Sequence, residues 1–374
     1  MRYKTFQDLQ LSALGMGCMR LPLKGGNSEI DEEQTARMAA YAMTHGINYF
    51  DTARGYHGGN SESVMGKILS AYPRDAYHLA SKFPGYDLAN MPKVQEIFAR
   101  QLERCQSEYF DFYLFHNVCE LNIDAYLNEE YGILDHLLKQ KEAGRIRHLG
   151  FSAHGSIPVM ERFLNAYGEH MEFCQIQLNY LDWSLQDAKG KVELLNARHI
   201  PIWVMEPLRG GKLCTLDEEA MSELQKLRPQ ESMSGWAFRF LQSIPGVTMI
   251  LSGMSDMQQL QENIETFADE QPLNEDEMKT LTGIGRRMST SVPCTACRYC
   301  IEHCPRSLDI PELIRLYNDM VYSGGSFSAR NAVNALPADK QPSACIGCGH
   351  CQALCPQQIH IPDIMRDLAR RISE

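Results

Sequence analysis

The 374-residue sequence has no uninterrupted apolar stretch approaching the length of a membrane span. Its start, MRYKTFQDLQLSALGMG, lacks the apolar core of a signal peptide. A cytoplasmic, soluble protein is expected. Positive charge is also in short supply: 36 Lys and Arg stand against 47 Asp and Glu, for a formal net charge of −11. Nucleic acid and anionic membrane would both be repelled, so neither is expected as a main partner. A glycine-rich dinucleotide fingerprint is missing too. The nearest approach, GMGCMRLP, is a poor G-x-G-x-x-G, which argues against a doubly wound open sheet.

What is present is a rhythm. Near-continuous apolar, β-rich stretches occur near residue 14 and at 47–50, 77–81, 110–115, 146–151, 172–177, 200–205 and 247–252. Strands buried on both faces read this way, as a parallel sheet requires. Helical stretches separate them. SEIDEEQTARMAAYAMTHG carries Ala36, Met38, Ala39, Ala42 and Met43 on one face, with Gly46 as its stop. NEEYGILDHLLKQKEAG has early acids and late lysines, and ends at Gly144. Eight β-then-α units predict an α/β fold, a (β/α)8 TIM barrel over residues 1–275. A polar exit segment, 276–292, then leads to a small helical domain at 293–374, with short helices expected at 311–321 and 326–336 and a last one in IPDIMRDLARRISE.

In such a barrel, reactive groups project from the C-terminal ends of the strands. Those ends offer Asp51 and Tyr56 (DTARGY), Lys82 (LASKFP), His116 (YLFHNV), Ser152 (GFSAH), Gln175 (CQIQLNY), Glu206 (MEPLRGG) and Ser252 (LSGMS). Lys82 and Asp51 alone could be a structural ion pair, and His116 alone a core histidine. Four such groups on three adjacent strand ends point to catalysis.

FDTARGY, the Lys82 strand and YLFHNV resemble the Asp-Tyr-Lys-His tetrad of the aldo-keto reductases, and the resemblance covers roughly residues 1–270. LSALGMGCMRLP is similar to that family's first hairpin, and IPGVTMILSGMSDMQQLQEN to its cofactor-binding end. The resemblance implies NAD(P)H-dependent reduction of a small carbonyl substrate, or the reverse. Tyr56 would be the general acid, Lys82 would lower its pKa, Asp51 would anchor Lys82, and His116 would hydrogen-bond the carbonyl oxygen. It also implies Ser152 and Gln175 on the nicotinamide carboxamide, and Gly210 and Gly211 on the pyrophosphate. Glu262 and Asn263 would contact adenine, while Met205, Glu206, Ser252 and Gly253 complete the cofactor seat. Arg54, His57, Tyr86 and Trp183 are candidates to line the substrate pocket.

The pattern departs from the family in three places. Met205 stands where an aromatic ring usually stacks on the nicotinamide. Ala153 replaces the asparagine that commonly follows the carboxamide-binding serine. SGMSDMQQLQEN has Asp256 and no cation where the 2′-phosphate of NADPH is normally gripped. NADH is therefore expected at least as readily as NADPH, and the lost stacking leaves room for a flavin.

Thirteen cysteines include eight in two runs, CTACRYCIEHCP and CIGCGHCQALCP. C-x2-C-x2-C-x3-C-P is ferredoxin spacing, in which the fourth cysteine ligates the other cluster. One [4Fe–4S] cluster is expected on Cys294, Cys297, Cys300 and Cys355, the other on Cys345, Cys348, Cys351 and Cys304. Zinc is the metal alternative. With this tail the chain resembles the iron–sulfur-bearing members of the family. The leading expectation is a carbonyl/alcohol oxidoreductase whose clusters pass electrons, with a redox partner protein. The alternatives are an electron-transfer subunit, flavin-linked, whose barrel does not turn over NAD(P)H, or clusters that act as structural staples.

Overall fold

The computed structural model describes residues 1–25, 29–289, 291–294, 296–355 and 357–374; Thr295 and Pro356 of the cysteine runs lie outside the described residues. A short antiparallel hairpin, β1 (Tyr3–Phe6) and β2 (Leu9–Ser12), comes first. Eight parallel strands follow: β3 (Leu14–Gly17), β4 (Tyr49–Asp51), β5 (His78–Phe83), β6 (Phe110–Val118), β7 (Ile146–Ala153), β8 (Cys174–Gln177), β9 (Ile202–Met205) and β10 (Val247–Ser252). They close in chain order, β10 pairing with β3. All eight apolar stretches read from the sequence become these strands. The hairpin, however, lies ahead of LSALGMGCMRLP, which supplies only the end of β2 and then β3.

Two cores hold the barrel. Its interior is filled by Tyr49, Phe112, Phe173, Trp203, Met249 and Leu251, and the hairpin's Phe6 plugs the floor, its ring edge-on to Trp203 at 5.0 Å. Burial of this aromatic layer on strands that alternate inward and outward makes the barrel a packed solid rather than a pore. The outer core lies between strands and helices. The first helix, Glu32–Thr44, is capped by Asp31, whose carboxylate accepts from the Gln34 N–H at 2.9 Å, and it buries Met38, Ala39 and Ala42. Gly46 ends it at φ +93°, a conformation open to glycine without strain.

Most of 276–292, expected as a polar exit segment, belongs to the helix Glu275–Ser289, whose Leu281 and Ile284 are buried in the barrel's outer core. Beyond it the chain forms three longer helices, Ile310–Ser323, Phe327–Asn334 and Ile361–Ser373, around a separate core that includes Leu313, Met320, Val333, Met365 and Leu368. Gly324 and Gly325, at φ +64° and +116°, turn the chain between the first two. Among the described residues no helix is long and apolar enough to cross a membrane.

Candidate active site and cluster cavities

The closed register sets the site. Asp51 ends β4 beside Gly17 and Ala80, and Lys82 on β5 is paired with Leu114 of β6. The turn after β4 carries Tyr56 back over the mouth. Lys82 is fully buried and its ammonium spends three donors: on Asp51 Oδ1 at 2.5 Å, the Thr52 carbonyl at 2.9 Å and the Tyr56 hydroxyl at 3.2 Å. Behind it, Gln101 Nε2 donates to the Lys82 carbonyl at 3.0 Å and to the buried Glu62 at 2.6 Å, fixing the strand. The His116 ring stands edge-on to Tyr56, centroids 6.1 Å apart, and to Tyr86 at 5.3 Å.

Electrostatics follow from burial at this mouth. Desolvation works against the Lys82 ammonium, yet Asp51 and Tyr56 hold its pKa above the usual value. Desolvation also pushes Asp51 up, against the pull of Lys82. Tyr56 is raised by burial, with Lys82 pulling it down and Asp51 adding to the rise. The expected fall below the ordinary tyrosine value is therefore not found: burial outweighs the ammonium, and the phenol stays loaded with its proton. His116 lies well below its usual pKa, through burial first and then the charge of Lys82, and is a neutral imidazole.

Several expected cofactor residues meet around the same mouth. Ser152 and Gln175 are register partners on β7 and β8. The Asn117 N–H donates to Ser152 Oγ at 2.8 Å. Gln175 Oε1, Asn117 Oδ1, His116 Nδ1 and Asp51 Oδ2 are buried with no hydrogen-bond partner among the described residues. Such orphaned atoms are costly unless a ligand or water meets them, so the mouth is suited to a polar group such as a carboxamide. Gly210 and Gly211 follow β9 with φ of +66° and +88°. Met205 ends β9, and Glu206 beside it reaches Arg20 at 3.1 Å. Ser252 ends β10 and accepts from Asn263 Nδ2 at 3.1 Å, so Asn263 faces inward while Glu262 lies exposed on the same helix.

The pocket candidates divide. Tyr86 lines the mouth against His116. His57 instead accepts the Leu21 N–H at 3.0 Å, and Trp183 packs edge-on to Phe240 at 5.5 Å in the outer core. Three residues were not foreseen. Asn117 was hidden one place after the tetrad histidine. Arg20 sits past the end of β3, a strand end from which no candidate had been taken. His154, just past β7, carries its ring 6.3 Å from Phe327 of the C-terminal domain.

The cysteines form two cavities. One is lined by Cys294, Cys297, Cys300 and Cys355, with Ile314 and Leu354; the other by Cys304, Cys345, Cys348 and Cys351, with Leu308 and Met365. Each takes three thiols from one run and the fourth from the other. Thiols spread around an apolar cavity fit a cubane, where each holds its own iron.

Comparison with known proteins agrees with this geometry. A model of the aldo/keto reductase family matches residues 13–286, and a 4Fe-4S dicluster domain model matches 293–360. An oxidoreductase of Bacillus subtilis is 26% identical over 73% of this chain and 92% of its own length. The NADH-specific methylglyoxal reductase of Escherichia coli is 26% identical over 55% of this chain and 66% of its own. An aldo-keto reductase from Bacillus halodurans in its holo form superposes with a TM-score of 0.63 at 22% identity, covering 76% of this chain and 96% of that one. One from Klebsiella pneumoniae in complex with NADPH gives 0.60 at 19% identity, covering 76% of this chain and 95% of its own. The chain is an oxidoreductase of the aldo/keto reductase family, with a 4Fe-4S domain following its barrel.

Proposed function

We propose that the barrel reduces a small aldehyde or ketone with NAD(P)H, and that two [4Fe–4S] clusters in residues 293–360 pass electrons to or from a redox partner. The observation that carries the reading is the Lys82 ammonium, bonded at once to Asp51 and to the Tyr56 hydroxyl at the mouth of the barrel. A bound reduced nicotinamide supplies hydride to the carbonyl carbon. The protein does the rest. The neutral His116 imidazole donates its N–H to the carbonyl oxygen and orients it. Tyr56 gives that oxygen its proton, and the phenolate left behind is stabilised by Lys82, which Asp51 holds in place. Ser152, Asn117 and Gln175 would hold the carboxamide, the orphaned Asn117 Oδ1 standing in for the family's missing asparagine beside Ser152.

Cysteines in the two crossed sets would hold the clusters, which calls for a reducing compartment to keep the thiols free. The hydride's two electrons end on the carbonyl carbon, so electrons carried singly by the clusters would serve to reduce the spent nicotinamide again, and a flavin on the partner would pair them for that hydride transfer. With Asp256 and no cation in the loop after β10, NADH is at least as suitable as NADPH, and the similarity to an NADH-specific methylglyoxal reductase points to 2-oxoaldehydes as first substrates to try. The test is anaerobic turnover of methylglyoxal with NADH and NADPH by wild type and Tyr56→Phe. The variant should lose about 10²- to 10⁴-fold in kcat and keep its cluster absorbance. Wild-type turnover in the variant would sink the assignment.

A second reading has support in Met205, which stands in place of a stacking ring, and in the cation-free loop after β10. In it the barrel does not turn over NAD(P)H and the chain is an electron-transfer subunit. Clusters that reduce with dithionite in a protein inert to both nucleotides would favour it.

A further inference from the structure

The helix Ala188–Ala197 follows β8, so it starts at the mouth of the barrel and runs down its outside. It is capped by Asp187, whose carboxylate accepts the Gly190 N–H at 3.3 Å, and its inward stripe is Ala188, Lys191, Val192 and Leu195. Lys191 is the one charged member of that stripe and only 5% exposed. Side chains on a helix lean toward its start, so Lys191 leans toward the mouth. No hydrogen bond or ion pair reaches its Nζ among the described residues.

The charges around this ammonium are engaged elsewhere. Glu120, past β6, accepts the Ser156 N–H at 2.8 Å. Asp182 accepts from Gln177 at 2.8 Å and from Asn179 at 2.6 Å. Arg315, of the C-terminal domain, donates to the Leu185 carbonyl at 2.7 Å and pairs with Glu312. Burial first, and then Arg315, lower the Lys191 pKa, while Glu120, Asp182 and Asp187 pull it up. An ammonium left unpaired at this depth is costly unless a ligand or water meets it.

A second unpartnered group stands on the same side. β7 ends at Ala153, and alternation along the strand gives His154 the face of Ser152, which lines the mouth. The His154 backbone N–H donates to the Val118 carbonyl at 3.0 Å, while its ring Nδ1 is buried with no hydrogen-bond partner among the described residues. Burial, then Lys191, then Lys82 hold its pKa down at about 4, so the ring is neutral and lies within electrostatic reach of both ammoniums. The exposed Phe327 ring stands edge-on to it at 6.3 Å, which brings the C-terminal domain to the edge of the same space.

We propose that Lys191 and His154 form an anion subsite of the barrel mouth, and that the substrate is an aldehyde or ketone carrying a carboxylate. The inference rests on the carbonyl reduction described under the proposed function and names the substrate class that it leaves open. One ammonium and one neutral imidazole match a singly charged carboxylate, which takes a charge-assisted hydrogen bond from Nζ and a second from the ring. A phosphate dianion fits less well, with Glu120, Asp182 and Asp187 close by and Arg315 already engaged.

The experiment has a binding arm and a turnover arm, both on anaerobic full-length protein, for wild type, Lys191→Met, Lys191→Arg and His154→Gln. Far-ultraviolet circular dichroism and cluster absorbance report that each variant is folded, and His154→Gln carries the test should Lys191→Met fail to fold. Calorimetry with succinate, which has carboxylates but no reducible carbonyl, should show binding weakened about 10- to 100-fold by Lys191→Met and less by the other two. Initial rates compare 4-oxobutanoate with butanal, and glyoxylate with methylglyoxal. Wild type should favour the charged member of at least one pair by about 10²-fold in kcat/KM, and Lys191→Met should bring that ratio to near one. Succinate binding that depends on Lys191, in a protein that reduces none of the four, supports the subsite and overturns the carbonyl-reduction reading. Reduction without preference for the charged members, with succinate binding equal in wild type and Lys191→Met, overturns the subsite and leaves that reading standing. A higher kcat/KM for glyceraldehyde 3-phosphate than for either carboxylate overturns the choice of anion. Neither binding nor turnover in wild type overturns both.

Discussion

Arg209, in the loop after β9, and Asp319, in the helix Ile310–Ser323, form a buried ion pair that ties the cofactor side of the barrel to the cluster-bearing domain. Asp319 also accepts from Gln186 Nε2 at 3.0 Å and from Ser326 Oγ at 2.7 Å, while Arg209 Nη1 approaches Asp182 at 3.5 Å. The same helix begins at both cavities, with Ile310 lining one and Pro311 and Ile314 the other. One rigid element thus touches two sets of thiols and the loop that carries Gly210 and Gly211. Removing Asp319 leaves the buried guanidinium with Asp182 at 3.5 Å as its remaining carboxylate, so Asp319→Ala should cost about 2 kcal/mol of stability, read by denaturation of the intact protein. By linkage, a nucleotide seated on the loop should slow iron loss to a chelator in wild type and fail to do so in the variant. Equal protection in both would show that the helix transmits nothing.

The acid–base pair predicts a pH profile. Burial raises the Tyr56 pKa above the ordinary tyrosine value of about 10, so the proton donor stays loaded through the neutral range. His116 is held well below its usual value and stays uncharged there. Carbonyl reduction should therefore be level from about pH 6 to 9 and fall only as the phenol ionises. Alcohol oxidation needs the phenolate and should climb with pH. Lys82→Met removes the downward pull on Tyr56, so its alkaline limb should move higher while the rate drops. The measurement is kcat/KM against pH in each direction; a limb centred between pH 6 and 8 in the reduction profile would contradict the assignment.

How far this site could be read beforehand depended on distance along the chain. The eight barrel strands were legible because parallel strands are apolar on both faces, as FDFYLF at Phe110–Phe115 shows. The four proposed catalytic residues were legible because Asp51, Lys82 and His116 lie at or near the C-terminal ends of β4, β5 and β6, with Tyr56 in the turn after β4. The hairpin was not: with Lys4 and Gln10 among its four-residue strands, its packing rests on Phe6 and Leu11, with Leu9 half-buried beside them. Arg209 and Asp319 are 110 residues apart, and nothing local to either says that they meet. Arg20 was missed for another reason. Its position is set by Gly210 and Gly253, which leave space for it, and a space has no residue type. The upward shift of Tyr56 was also out of reach, since the sequence names the ammonium beside the phenol but not the depth at which both are buried.

Glu172 offers an acid-side test of the barrel floor. Its carboxylate accepts from His148 at 2.8 Å, Gln7 of the hairpin turn at 2.7 Å, Lys141 at 2.5 Å and the Leu149 N–H at 2.9 Å. Burial alone would raise its pKa, but these partners, His148 foremost, bring it down to about 2. A carboxylate depressed in the folded state contributes its stability above the unfolded value, near 4.3, and loses it as pH falls toward 2. Glu172→Gln should thus cost about 2 kcal/mol at pH 7, after allowance for solvent at this partly open site, and progressively less below about pH 4. Denaturation midpoints of the two proteins at pH 7 and pH 3 check it; a gap that widens in acid would refute the linkage.

The cluster cavities make a prediction that separates crossed from uncrossed ligation without identifying either cluster. The structure puts Cys297 and Cys355 on one cavity, and Cys304 and Cys348 on the other, although Cys297 and Cys304 share a run. If each cavity holds one [4Fe–4S] cluster, wild type carries about eight irons per chain. The double variant Cys297→Ser/Cys355→Ser then damages one cavity only and should keep about four. The double variant Cys297→Ser/Cys304→Ser takes a ligand from each and should keep few or none, even though its two changes are seven positions apart and the other pair spans most of the domain. Iron analysis and low-temperature electron paramagnetic resonance after dithionite reduction give the count. Should the neighbouring pair leave a full cluster while the distant pair abolishes both, each run would be closing on its own iron, and the crossed arrangement would be wrong.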